Sequence, residues 1–161
     1  MKELRDYQSV ACDYICQRIN NYKRPFIYVM ACGAGKSLVI AELAKRVGRV
    51  LVLTLSAELC KQDSDEMTEY GVKHEVYSAS MDSKNVGLIT VATVGSAYKH
   101  PGLFSHVDVV LIDEVQAVNP ADTKTMFMKL LIEINRHKKT SGEHIKIVGL
   151  TATPYRNVQK V

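Results

Sequence analysis

Apolar positions along the chain fall into two alternating patterns. Short continuous runs rich in β-branched residues occur at Phe26 to Met30, Val50 to Leu55, Val86 to Ala92, Val107 to Ile112 and Ile145 to Leu150, with a weaker run at His74 to Ser78. Continuous runs, unlike alternating ones, suit strands buried on both faces. Between them lie segments of helical period. Arg5 to Ile19 carries Val10, Tyr14 and Ile15, and Lys36 to Val47 carries Leu38, Val39, Leu43 and Val47. Ser56 is placed to cap a helix reaching Tyr70 and ended by Gly71, and Asp122 to Asn135 has Met126, Leu130 and Ile134 at four-residue spacing. Strand and helix alternating through short links predict an α/β domain, with a mostly parallel central sheet and helices on both faces.

The chain has 161 residues, the length of one domain, and no Pro/Gly-rich linker divides it. No run approaches the roughly 18 apolar residues of a membrane span, which excludes a transmembrane class. The opening MKELRDYQSV lacks the apolar core of a signal peptide. Cys12, Cys16, Cys32 and Cys60 form no CxxC pair and no zinc spacing, so reduced thiols in a cytoplasmic protein are expected. The net charge of +4 permits a nucleic-acid partner without demanding one. Arg136, His137, Lys138 and Lys139 precede Thr140-Ser141-Gly142. This stretch reads as a solvated basic loop, with contact to a polyanion as the sharper alternative.

Two segments carry chemistry. Met30 to Ser37 reads MACGAGKS, between a predicted strand and a predicted helix. It matches the phosphate-loop pattern GxxxxGK[ST] at Gly35, Lys36 and Ser37, adds Gly33, and departs where Met30 replaces the first glycine. Glycines let consecutive backbone N–H groups of Cys32, Gly33, Ala34 and Gly35 aim at an anion, and the opening helix adds its dipole. Lys36 would supply charge for the β- and γ-phosphates of ATP, and Ser37 a hydroxyl for Mg²⁺. The second segment, VVLIDEVQ at Val109 to Gln116, ends a buried run in Asp113 and Glu114. Carboxylates at the carboxyl end of such a strand share the ligand crevice of an open α/β sheet. Asp113 is the candidate for holding Mg²⁺, and Glu114 for orienting and deprotonating water.

In order and spacing, these segments resemble the first RecA-like domain of superfamily 2 DExH-type helicases and translocases. LRDYQ (Leu4 to Gln8) looks like the Q motif, MACGAGKS like motif I, and LIDEVQ like motif II. LVLTLSAELCKQ (Leu51 to Gln62) and ITVATVGS (Ile89 to Ser96) are similar to motifs Ia and Ib, and LTATPYR (Leu150 to Arg156) to motif III. The TATPxR form is similar to the branch of restriction-enzyme motor subunits and DNA-repair translocases. The resemblance implies a RecA-like P-loop NTPase fold over 1–161 and a motor driven by Mg-ATP. Gln8 would read adenine, with Arg5 and Tyr7 in support. Thr151 and Thr153 would couple the acidic motif to domain movement, and Ser56 and Thr93 would meet the nucleic-acid backbone. Capping is the plainer reading of Ser56 and Thr93. Gln116 stands where the family has His or Asp, and its amide still donates and accepts near the γ-phosphate.

The family's second RecA-like domain carries the arginine finger, worth about 10³–10⁵ in rate in related enzymes. The chain ends at Val161, soon after motif III, so a second domain in cis or trans is expected and this stretch alone should hydrolyse ATP very slowly. DNA is favoured over RNA by analogy. A nucleotide-dependent binding module without turnover is the alternative, as is an RNA helicase domain. A small-molecule kinase fits poorly, because only Arg136 and Arg156 follow the acidic pair.

Overall fold

The computed structural model describes residues 2–139 and 142–153. Seven strands form one sheet in the order β1-β7-β6-β2-β5-β3-β4. They are β1 (Phe26–Val29), β2 (Val50–Thr54), β3 (Glu75–Ser78), β4 (Ser83–Lys84), β5 (Ile89–Thr93), β6 (Val109–Asp113) and β7 (Lys146–Thr151). All neighbours pair in parallel except β3 with β4. The expected parallel sheet is therefore present, and the weak run at His74 to Ser78 supplies β3. β4 was not expected, since two residues carry no readable period.

The continuous runs divide their side chains between two cores. Val50 and Val52 of β2, with Val109 and Leu111 of β6, face a core shared with helices α1 (Asp6–Asn21), α2 (Lys36–Val47) and α3 (Ala57–Glu69), where Ile15, Ile40, Leu43 and Met67 pack. Leu51, Leu53, Val110 and Ile112 face the other core, built with the one-turn helix α4 (Val94–Ala97) and α5 (Met126–Lys139) through Val94, Leu130 and Ile134. A strand apolar at every position needs helices on both sides, and here it has them.

The expected burial of every run on both faces fails for β1. This strand forms the sheet edge, and Ile27 and Val29 are 53% and 51% exposed. Beside it an apolar cavity of about 350 Å³ opens toward Met128, Leu131 and Ile132 of α5. Met30 lies outside β1, its N–H bonded to Thr151 O at 2.9 Å and its side chain in the α1–α2 core. The strand expected from Val86 starts only at Ile89, because Gly87 turns back on Thr90, whose hydroxyl accepts its N–H at 3.0 Å. The helix expected from Asp122 starts at Met126. Asp122 and Thr125 instead take cap-like bonds from Lys124 N–H (3.0 Å) and Met128 N–H (3.3 Å). α3 begins as expected, with Ser56 accepting from Leu59 N–H at 3.3 Å. Among the described residues no helix is long and apolar enough to cross a membrane.

α5 runs on through His137 and Lys138, so the expected basic loop is helix there. Lys138 is buried and paired with Asp108 (3.3 Å) and Glu143 (3.5 Å), and Arg136 pairs with Glu133 at 3.0 Å. Lys138 is thus committed to an internal pair, which overturns its reading as a polyanion contact. Thr140, Ser141 and residues 154–161, including Pro154, Tyr155 and Arg156, lie outside the described residues.

β7 shows how tightly the layers close. A Cβ on Gly149 would run into both branches of Val115, in the turn after β6. Gly149→Ala is expected to lower unfolding free energy by about 1–3 kcal/mol in urea titration. Adding Val115→Ala should recover part of that loss, giving a non-zero coupling in the double-mutant cycle.

Candidate nucleotide and metal site

The strand order sets β1, β7 and β6 side by side, so the loops leaving their carboxyl ends meet. The loop after β1 holds Cys32, Gly33, Ala34 and Gly35 and opens α2. Gly33 (φ 75°) and Gly35 (φ 78°) adopt left-handed backbone, which glycine alone takes without strain. Lys36 and Ser37 then form the first turn of α2, whose leading N–H groups have no carbonyl partner within the helix. Met30 explains the departure from the glycine pattern: its side chain fills the core beneath the loop rather than lining a turn.

α1 pins this loop from outside. Gln8 is buried; its Oε1 accepts from Arg5 N–H at 2.9 Å, and its Nε2 donates to Ala34 O at 2.9 Å and Gly35 O at 3.3 Å. Tyr7 Oη donates to Ala34 O at 2.9 Å, and Arg5 reaches Tyr7 Oη at 3.5 Å. The fit is close enough that a Cβ on Gly35 would collide with the Gln8 amide. Gln8 therefore braces the phosphate loop, a contact that the resemblance alone had not indicated.

β6 delivers the carboxylates. Asp113 is buried, with Oδ1 3.2 Å from Lys36 Nζ but accepting no hydrogen bond. Glu114 pairs with the same ammonium and takes a left-handed backbone (φ 56°), strain of the kind that collects at working sites. Burial draws the Lys36 ammonium down, but Glu114 and Asp113 outweigh it and hold its pKa above the usual lysine value. Burial pushes Glu114 up, and Lys36 with Gln116 more than reverses this, leaving its carboxyl below the usual range. Gln116 Nε2 donates to Glu114 Oε2 at 2.5 Å, and its Oε1 accepts from Thr151 Oγ1 at 2.6 Å. Thr151 in turn accepts from Thr153 N–H at 3.0 Å. The acidic segment and the TAT segment after β7 are thus one hydrogen-bonded chain. A cavity of about 390 Å³ joins Cys32, Gly33, Gly35, Lys36, Ser37, Asp113 and Glu114.

The sequence reading placed α3 but missed its contribution to the site. Gln62 Nε2 donates to Ser37 Oγ at 3.3 Å, and Asp63 is fully buried beside Ser37 and Asp113. Cys60, Asp63, Ser64 and Met67 form the buried stripe of α3. A carboxylate at the second position of that stripe was the available signal. Burial first, then Asp113, pushes the Asp63 carboxyl up to about 8, against the pull of Ser37 and Lys36.

Ser56 and Thr93 meet elsewhere. Both line a cavity of about 400 Å³ over the carboxyl ends of β2 and β5, with Ser96, Lys84, Lys99 and His100 on its rim. Ser56 caps α3, while Thr93 Oγ1 bonds Ser78 Oγ (3.2 Å) and Ser96 Oγ (3.1 Å). A larger cavity of about 680 Å³, near Arg46, Asp108 and Lys146, sits at the amino ends of β6 and β7, away from these groups. The cysteines are unbridged; burial raises the thiols of Cys12 and Cys60 to about 12 and 11.

A glycine loop, lysine, hydroxyl and acidic strand end, set on a parallel sheet, define the class of RecA-like domains. The chain belongs to the family described as "Type III restriction enzyme, res subunit", which it matches over residues 1–156. No curated protein matches it in sequence. Its fold is similar to the UvsW helicase from bacteriophage T4 (19% identity, TM-score 0.70, 94% of this chain and 53% of that one). It is likewise similar to a nuclease-deletion mutant of the Type ISP restriction-modification enzyme LlaGI, solved with a DNA substrate mimic (17%, 0.70, 98% and 18%). The Hef helicase domain of Pyrococcus furiosus is a third (20%, 0.67, 96% and 34%). The chain thus spans about half or less of each of these structures.

The Asp63 environment has a direct consequence for stability. A carboxyl whose folded pKa exceeds its unfolded value of about 3.9 stabilises the fold below the unfolded pKa, and that stability is lost as pH rises toward the folded pKa. Between about pH 4 and 8, Asp63→Asn is expected to remove a decline of up to about 1.4 kcal/mol per pH unit, seen by comparing urea midpoints of both proteins.

Proposed function

We propose that this chain is the ATP-binding half of a DNA helicase or translocase motor, working with a second RecA-like domain. The observation that carries the reading is the Lys36–Asp113–Glu114 cluster at the mouth of the glycine loop. Lys36 bridges two carboxylates, and an ATP phosphate would compete with them for its charge. The backbone N–H groups of Gly33, Ala34 and Gly35 and the start of α2 would bind the phosphates.

The residues present fit a divalent cation: Ser37 offers a hydroxyl, and buried Asp113 Oδ1 lacks a hydrogen bond. Ser37 and Asp113 would hold Mg²⁺, which neutralises phosphate charge when bound. Glu114, freed from Lys36 and oriented by Gln116, would take the proton of the attacking water. Thr151 would pass changes at Gln116 into the segment leading toward the second domain. Gln8 and Arg5, already fixed at the loop, would face the adenine end.

The cavity over β2 and β5, with Ser56, Thr93, Lys84 and Lys99, is the proposed nucleic-acid contact. DNA is favoured because the family and the LlaGI complex are restriction systems, and phosphate contacts alone carry no base information.

ATP turnover by the full protein is expected to rise on adding duplex DNA and to fall at least about 100-fold in Lys36→Ala, measured by phosphate release. Absence of stimulation by any DNA or RNA would overturn the motor reading. Replacing Lys84 and Lys99 by Ala should weaken DNA binding and flatten the plot of log affinity against log salt by about one unit per lost phosphate contact. An unchanged slope would assign that cavity another role.

A further inference from the structure

We infer that Asp63 is a further protein donor to the divalent cation at Ser37 and Asp113. The inference rests on the cation-site reading above and extends it to α3, an element that reading does not use. Asp63 occupies a position on α3 that faces the sheet between Cys60 and Met67, where amphipathic spacing calls for an apolar residue. Its exposure is 0%, and neither carboxylate oxygen has a hydrogen-bond partner.

Among the described residues, the buried side-chain oxygens and nitrogens without a hydrogen bond are three: Asp63 Oδ1, Asp63 Oδ2 and Asp113 Oδ1. All three belong to carboxylates lying against each other, with Ser37 beside them. The nearby cation, Lys36, is committed to Asp113 and Glu114. Two carboxyls facing each other in a dry site cannot both carry charge without a partner, and the partner that lets both ionise is a hard cation taking oxygen donors. The same helix also sets the hydroxyl: Gln62 donates to Ser37 Oγ at 3.3 Å, leaving the oxygen's remaining lone pair to a cation. With two carboxylates and a hydroxyl from the protein, the site should hold a cation before nucleotide arrives. A site with one carboxylate draws more of its coordination from the phosphates.

The test is Mn²⁺ titration of the full protein, followed by the electron paramagnetic resonance signal of free Mn²⁺, with Mn²⁺ alone and with ADP. Asp63→Asn keeps the shape and removes the charge; Asp113→Asn is the reference for loss of the site. The expected result is that Asp63→Asn weakens Mn²⁺ binding about 10–100-fold in both conditions. A dissociation constant within twofold of wild type, while Asp113→Asn abolishes binding, overturns this inference and leaves the motor reading standing. No Mn²⁺ binding by the wild type, with or without ADP, overturns both. Should Asp63→Asn fail to fold, Asp63→Leu supplies the apolar side chain that the position calls for and is read by the same criteria.

Discussion

The charge balance around Lys36 governs how this domain is put together. Asp113 is buried at the end of β6 and Glu114 sits next to it on a strained backbone. Two carboxylates in that position would be costly without a cation, and the ammonium reaching across from the start of α2 is the counter-charge. That requirement fixes the phosphate loop over the sheet, since Lys36 cannot reach β6 unless β1, β7 and β6 lie side by side. In the proposed role the same ion pairs serve both fold and site: those that hold Lys36 to the end of β6 are those a phosphate would compete with.

Hydrogen bonds extend this balance in two directions. On one side Gln8 and Tyr7 tie α1 to the carbonyls of Ala34 and Gly35, so the loop is held from outside as well as from the sheet. On the other, Glu114, Gln116, Thr151 and Thr153 form an unbroken series from the acidic strand end to the segment after β7. Any change in the partners of Glu114 must be felt at Thr151, because Gln116 has both ends of its amide engaged. An amide suits this position: it satisfies a carboxylate with its NH₂ and a hydroxyl with its carbonyl at once.

Much of this was legible in the sequence because the signals were local. Apolar runs at every position required a two-sided core, and β2 and β6 show it in the division of Val50, Val52 from Leu51, Leu53. The glycines of MACGAGKS marked backbone that only glycine adopts, and Ser56 marked a helix start. The misreadings have equally physical causes. Basic residues at 136–139 look like a loop in one dimension, yet Lys138 lies on the side of α5 that meets Asp108, which is distant in sequence. β1 has the composition of an internal strand, and its place at the edge follows from strand order, which composition does not encode.

The fold class, the glycine loop, the acidic strand end and the cap of α3 could be read along the chain, because each depends on the conformational or periodic character of neighbouring residues. The tertiary structure alone decided which distant groups share an environment. It brought Lys36 between Asp113 and Glu114, set Gln8 against the carbonyls of the glycine loop, and buried Asp63 beside Ser37 and Asp113. Charge, desolvation and hydrogen bonding act over a few ångströms of space, whatever the separation along the chain. These properties of the site therefore exist only once the sheet has ordered its strands.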